Sequence, residues 1–141
     1  MEVKIRITYN AAKLASALPK IISKTASRYA RLSAKGAKKN IDKGVSPALK
    51  ASTISIRKNR GITGTKPLYE TGNLHRSIKA DKGSLRMKSY GFQHHKGFTT
   101  RASSMIPKKK VPARPFIKPD EQEVLTALNA LKKDISQNFR K

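Results

Sequence analysis

Thirty-two lysines and arginines share this chain with eight aspartates and glutamates, a formal charge of +24 over 141 residues. Only 37% of the residues are hydrophobic. That leaves room for one domain with a modest core, and for basic segments that order only against partners. Such a surface repels its own copies and attracts polyanions. Nucleic acid is the usual polyanion, with an acidic protein or membrane surface next. A solvated face that serves solubility alone is the bland alternative. The excess is uneven. Residues 1–45 and 46–119 are strongly basic, whereas residues 120–141 hold as many acids as bases.

The same composition removes whole classes of chemistry. Without cysteine there is no disulfide, thiolate nucleophile or cysteine-based metal site. Apolar runs are two or three residues long, so no segment spans a membrane. The N-terminus lacks the apolar stretch of a signal peptide, so the chain reads as made in the cytoplasm. No P-loop, dinucleotide fingerprint or HExxH is present. The one acidic cluster, Asp120-Glu121-Glu123, reads as a helix N-terminus, which leaves no carboxylate pair for acid–base or two-metal work. Adjacent His94 and His95, read on a strand, point to opposite faces and do not share a metal. No cofactor or metal is expected. Zinc-finger spacing, basic-region heptads and RNP aromatics are all missing, so any contact with nucleic acid is through phosphate charge.

Residues 2–9 alternate, with Val3, Ile5, Ile7 and Tyr9 on one face of a half-buried strand. Asn10 caps a short helical piece to Leu18, which Pro19 stops or kinks. A helix then runs from Pro19 to Lys43 with three stripes at 100° per residue. Leu18, Ile21, Ile22, Thr25, Tyr29 and Leu32 form the expected core side. Lys20, Lys24, Arg28, Arg31, Lys35 and Lys38 form a basic stripe, expected to meet DNA or an acidic partner. Ser23, Ala26, Ser27, Ala30, Ala34 and Ala37 form a small-residue stripe, which reads either as a close-approach face or as plain helix propensity. Gly36 is expected to weaken or end this helix.

Ser46-Pro47 has the form of a helix start leading to about Lys58. A glycine-rich loop covers 59–67, and one helical turn surrounds Leu74. Residues 77–80 and 85–90 pair as a hairpin across a turn at 81–84. Residues 98–112 show no period and read as a long basic arm, with Lys108, Lys109 and Lys110 as further contacts for DNA or an acidic partner. Residues 114–118 suit an edge strand. Asp120 opens a last helix with a capping box to Glu123 and a core stripe of Val124, Leu128, Leu131 and Ile135.

Leu68 to Ile78 reads Leu-Tyr-Glu-Thr-Gly-Asn-Leu-His-Arg-Ser-Ile. This resembles the L-x-x-T-G-x-L-x-x-S-I signature of the phage virion-morphogenesis, or tail-completion, family. Three further stretches resemble the family in order. They are Ser52-Thr53-Ile54 with Arg57-Lys58, then Tyr90-Gly91 with His94-His95-Lys96-Gly97, then Val111-Pro112-Ala113-Arg114-Pro115-Phe116-Ile117. A C-terminal helix follows. The basic excess and the long arm at 98–110 depart from the family pattern.

The residues themselves read as fold-determining turns. Thr71-Gly72 makes a tight turn, Leu74 and Ile78 pack on one side, and Ser77 bonds nearby backbone. Arg114 between Pro112 and Pro115 is held stiffly enough to reach a carboxylate or phosphate. His94, Gly97 and Phe116 complete the motif set. The resemblance implies a single α+β domain over 1–141, with a small antiparallel sheet packed against a long N-terminal helix and a C-terminal helix. It also implies a non-enzymatic virion protein of the neck or upper tail. Such a protein forms a homo-oligomeric, hexameric ring between head adaptor or connector and tail tube, around the DNA channel. The alternative is a non-sequence-specific nucleic-acid-binding protein, ribosomal- or nucleoid-like in charge. A toxin-like nuclease fold is disfavoured by the shortage of acids.

Overall fold

A computed structural model describes residues 11–103 and 107–139. The strand expected at 2–9 and the Asn10 cap lie outside the described residues. The elements in order are α1 (Ala11–Lys43), α2 (Ala51–Asn59), α3 (Asn73–Ser77), β1 (Lys79–Asp81), β2 (Ser84–Arg86), α4 (Ser89–Lys96), β3 (Phe98–Thr99), β4 (Lys110–Val111) and α5 (Glu121–Phe139). The architecture is α+β. The long α1 packs against the β1–β2 hairpin on one side and against α5 on another.

Helix α1 is a single element of 33 residues and corrects three expectations. It runs through Pro19, which neither stops it nor starts it. The carbonyl of Ala15, which loses its donor there, lies on an exposed part of the helix where water can replace it. It also continues past Gly36. A Cβ at that position would stand 2.4 Å from the carbonyl oxygen of Lys118 and 2.8 Å from the Cα of Pro119. Glycine therefore lets the 116–119 segment lie directly on the helix backbone. Asn40, one turn on, ties it there by donating Nδ2 to the carbonyls of Phe116 and Lys118 at 2.9 and 3.1 Å.

The third correction concerns the buried face. Of the expected stripe Ile21 is buried and Thr25 and Leu32 are half-buried, but Ile22 and Tyr29 are exposed and Leu18 is partly so, while Ala30, Ser33, Ala34, Ala37 and Ile41 are buried. In the C-terminal half of α1 the small-residue stripe is the core side. Short side chains there let the hairpin and the 116–117 segment approach closely. The central cluster is Ala34, Ala37, Ile41, Val45, Leu74, Ile78 and Phe116, flanked by Leu68, Ala80, Leu85, Met87 and Ile117. Phe116, Ile41 and Ile78 are essentially sealed from solvent.

The hairpin forms as expected but shorter. Its register is Lys79 to Arg86, Ala80 to Leu85 and Asp81 to Ser84, and Lys82 and Gly83 both have positive φ, as a tight two-residue turn needs. Three other expectations change. Ser46-Pro47 is not a helix start: the peptide is cis, and α2 begins at Ala51 behind Lys50. Residues 89–96 are helix α4, where the hairpin strand was expected to reach Tyr90 and His94 and His95 were read on a strand. Residues 114–118 form no strand, because the backbone donors of Arg114, Phe116 and Ile117 are taken by the two histidines of α4. The arm at 98–112 is closed at its base by β3 and β4, paired Phe98 to Val111 and Thr99 to Lys110.

Asp120 caps helix α5 as read, but the expected capping box is not closed, because the Glu123 carboxylate pairs with Lys35. The Asp120 carboxylate accepts from the backbone N–H groups of Gln122 and Glu123. Its expected core stripe is shallower than the sequence implies: Leu128 and Leu125 are exposed, and Val124, Leu131 and Ile135 are half-buried. Glu123 and Asp134 face α1 instead, through ion pairs. Among the described residues no helix is long and apolar enough to cross a membrane.

Candidate functional site

The family-like motifs, far apart in sequence, meet in one place. Leu74 and Ile78 of the signature bury against Phe116 of the proline-rich run. Gly72 opens α3, its carbonyl accepting from the Arg76 N–H at 2.9 Å. Arg76 closes this turn through Nη2, which donates to the Thr71 carbonyl and the Asn73 Oδ1 at 3.0 and 2.7 Å. Ser77 works in both directions. Its Oγ donates to the Leu74 carbonyl at 2.7 Å and accepts from the Lys88 N–H at 3.1 Å, which joins the end of α3 to the strand exit after β2.

The histidines stand on a helix, not a strand, and each meets the proline-rich run. His94 offers its carbonyl to the Arg114 N–H at 2.8 Å. His95 offers its ring: Nδ1 accepts from the backbone N–H of Phe116 at 3.2 Å and of Ile117 at 3.4 Å. A ring nitrogen that accepts two N–H groups carries no proton of its own. Burial, helped by Lys96, holds His95 below its ordinary value, and burial with Arg114 does the same for His94. The His94 ring meets Tyr90 and Phe98 edge-on, and His95 meets Phe116 likewise. Gly97 ends α4 with φ +79, and a Cβ there would lie 2.8 Å from the nitrogen of Ala113. Glycine at this position lets Pro112-Ala113 pass against the helix end.

Sequence reasoning gave Arg57 no role of its own. Arg57 of α2 is buried, and its Nη1 donates to the carbonyls of Gly64 and Lys66, pinning the glycine-rich loop. With Glu70, Thr71, Asn73, Tyr90 and His94 it lines a recess of about 370 Å³. Buried arginines on short helices carry no periodic signal, so the residue pattern could not have marked it. Among the described residues, no group of three His, Asp or Glu is placed to hold a metal ion.

The basic stripe divides in two. Lys24 and Arg28 reach Asp134 at 3.1 and 3.2 Å, Lys35 pairs with Glu123, and Lys39 reaches Asp120 at 3.4 Å. An acidic partner for half of the stripe is thus this chain's own α5. Glu123 raises Lys35 above its ordinary value, and Lys24 foremost lowers Asp134. Lys20, Arg31 and Lys38 form no ion pair among the described residues. Lys20 and Arg31, with Ser23 and Ser27 between them, line an open groove of about 730 Å³ along α1. Lys108, Lys109 and Lys110 are exposed on the β3–β4 arm, a separate element, and pair with no described acid. Glu2 lies outside the described residues, and each of the other seven acids already has a basic or histidine partner within 4 Å.

Comparison with known proteins finds no matching family model, no matching curated protein and no matching solved structure.

Proposed function

We propose that this chain is a structural, non-enzymatic component of a tailed-phage virion. Its role is head-to-tail joining or tail completion, as a homo-oligomeric, hexameric ring around the DNA channel at the neck or upper tail. The observation that carries the reading is the convergence of the ordered motifs. The His94–Gly97 helix end and the Pro112–Phe116 run interlock through backbone and ring hydrogen bonds, and the signature at Leu68–Ile78 packs Leu74 and Ile78 into the same cluster as Phe116. Residues that resemble one family's pattern are therefore spent on building one folded unit, as a set of fold-determining turns should be. The resemblance supplies the partners: a head adaptor or connector on one side and tail-tube protein on the other.

A joining assay tests it. Heads and tails made without the chain are mixed with the purified protein and scored for complete particles. Restoration of joined particles supports the role, and unchanged separate heads and tails count against it.

A second reading, non-sequence-specific nucleic-acid binding, is favoured by a different observation. The described acids are all engaged within the chain, so Lys20, Arg31, Lys38 and Lys108–Lys110 face outward without internal neutralisation. The two readings are compatible, since a channel ring meets DNA. Replacing Lys20, Arg31 and Lys38 by Gln should reduce the slope of log affinity against log salt by roughly 0.9 for each phosphate no longer neutralised. An unchanged slope on unrelated duplexes would leave these residues as a solvated face.

A further inference from the structure

The open groove of about 730 Å³ along α1 is lined by cations with no carboxylate among them. Apart from Pro19, its lining is Lys20, Ser23, Lys24, Ser27, Arg28 and Arg31. These positions recur at i, i+3, i+4, i+7, i+8 and i+11, one side of a helix over about 16 Å of its axis. Lys24 and Arg28 share a single acid, Asp134 of α5, at 3.1 and 3.2 Å. Lys20 and Arg31 pair with no described acid. Four positive charges thus meet one negative charge. The serine hydroxyls are open as well. Thr25 spends its hydroxyl on the Ile21 carbonyl at 2.8 Å, whereas those of Ser23 and Ser27 have no hydrogen-bond partner among the described residues. Ser23 is exposed and Ser27 half-buried, so two neutral donors stand between the charged ones.

We propose that this groove seats the sugar–phosphate backbone of duplex nucleic acid, without regard to base sequence. The contact, which presupposes the nucleic-acid reading above, lies on α1 and not on the β3–β4 arm. Phosphates recur about every 3.4 Å of axis along each strand. A row about 16 Å long can therefore follow a few of them with ammonium, guanidinium and hydroxyl donors. Helix α1 does not read base edges. A helix about 10–12 Å across already fills the roughly 12 Å major groove, and α1 carries the hairpin and α5 on its flanks. No aromatic ring lines the groove, so unpaired bases have no platform to stack on, and a duplex that presents phosphate alone is the better match. An acidic protein surface fits less well. Protein partners hold through apolar or aromatic anchors set in pockets, and Pro19 is the one apolar residue in this lining.

The test is a fluorescence-anisotropy titration of the full chain against short duplexes of unrelated sequence, repeated over a range of salt. Wild type should bind the duplexes alike, and more tightly than their separated strands or polyglutamate of matched length. Lys20→Gln combined with Arg31→Gln should lower the slope of log affinity against log salt by roughly 1.8, the value for two phosphates no longer neutralised. Ser23→Glu supplies an independent arm. It removes no cation and sits at an exposed position, yet the carboxylate it sets between Lys20 and Lys24 should weaken binding several-fold. Replacing Lys108, Lys109 and Lys110 together by Gln should cost less than the Lys20 and Arg31 pair. A larger loss from the arm, or unchanged affinity in both groove variants, overturns the groove and leaves nucleic-acid binding standing. Single strands or polyglutamate bound as tightly as the duplexes also overturn it. Absence of duplex binding overturns the groove together with the nucleic-acid reading, while the joining assay still decides the virion role.

Discussion

Replacing Gly36 by alanine separates local preference from packing by the sign of its effect. Inside an isolated helix the change gains about 1 kcal/mol, because alanine is the best helix former and glycine among the worst. Here the new Cβ would fall 2.4 Å from the Lys118 carbonyl oxygen and 2.8 Å from the Pro119 Cα. Reaching ordinary contact needs a backbone shift of roughly 1 Å, and overpacking of this kind costs about 1–3 kcal/mol. The 116–119 segment cannot move freely, since Phe116 is buried and Asn40 holds both flanking carbonyls. The expected net effect of Gly36→Ala is a loss of about 1–2 kcal/mol, hence a Tm lower by roughly 2–8 °C. Urea and thermal unfolding measure it, with Ser23→Ala at an exposed position of the same helix as the control that should gain slightly. If Gly36→Ala stabilises the protein by the helix-propensity increment, the 116–119 segment does not lie on α1 and the packing argument fails.

Phe116→Ala removes the centre of the motif cluster and should cost about 3–5 kcal/mol, measured by urea unfolding. The depressed histidines make stability pH-dependent. Below the ordinary value of 6.5 the unfolded chain takes up protons that folded His94 and His95 refuse, so the urea midpoint should fall on acidification through that window and stay flat above it. A second loss belongs below 3.8, where Asp120 and Asp134, whose folded values are lowered, finally protonate and release α5. Replacing Lys24, Arg28 and Lys35 together by Gln should loosen α5, seen as faster amide exchange along 121–139, whereas the Lys20, Arg31 and Lys38 triple variant should leave exchange there unchanged. The purified chain should leave duplex DNA intact with magnesium present, as an agarose-gel assay of supercoiled plasmid would show.

The α+β class, the long first helix, the short turn at Leu74, the hairpin and the Asp120 cap were legible because each rests on a local signal: period, capping residue or turn glycine. The buried face of α1 was not. Larger side chains such as Ile22 and Tyr29 dominate a periodicity reading, yet close packing of a hairpin and a proline-rich segment favours Ala34 and Ala37. The strand read at 85–90 and the histidines read on a strand misled for a related reason, since the chain turns helical at Ser89 and brings His94 and His95 to the backbone of 114–117. Half of the basic stripe was readable as charge, but its partner on α5 lies far along the chain and has no sequence signature. The recess around Arg57 depends wholly on tertiary packing.

Cryo-imaging of particles assembled with and without this chain tests the central claim most directly. The account predicts ring density at the neck or upper tail that accommodates the α1–hairpin–α5 unit around the DNA path, and separated heads and tails when the chain is missing. Complete, joined particles that lack the chain, or its density located away from the head–tail axis, would contradict it.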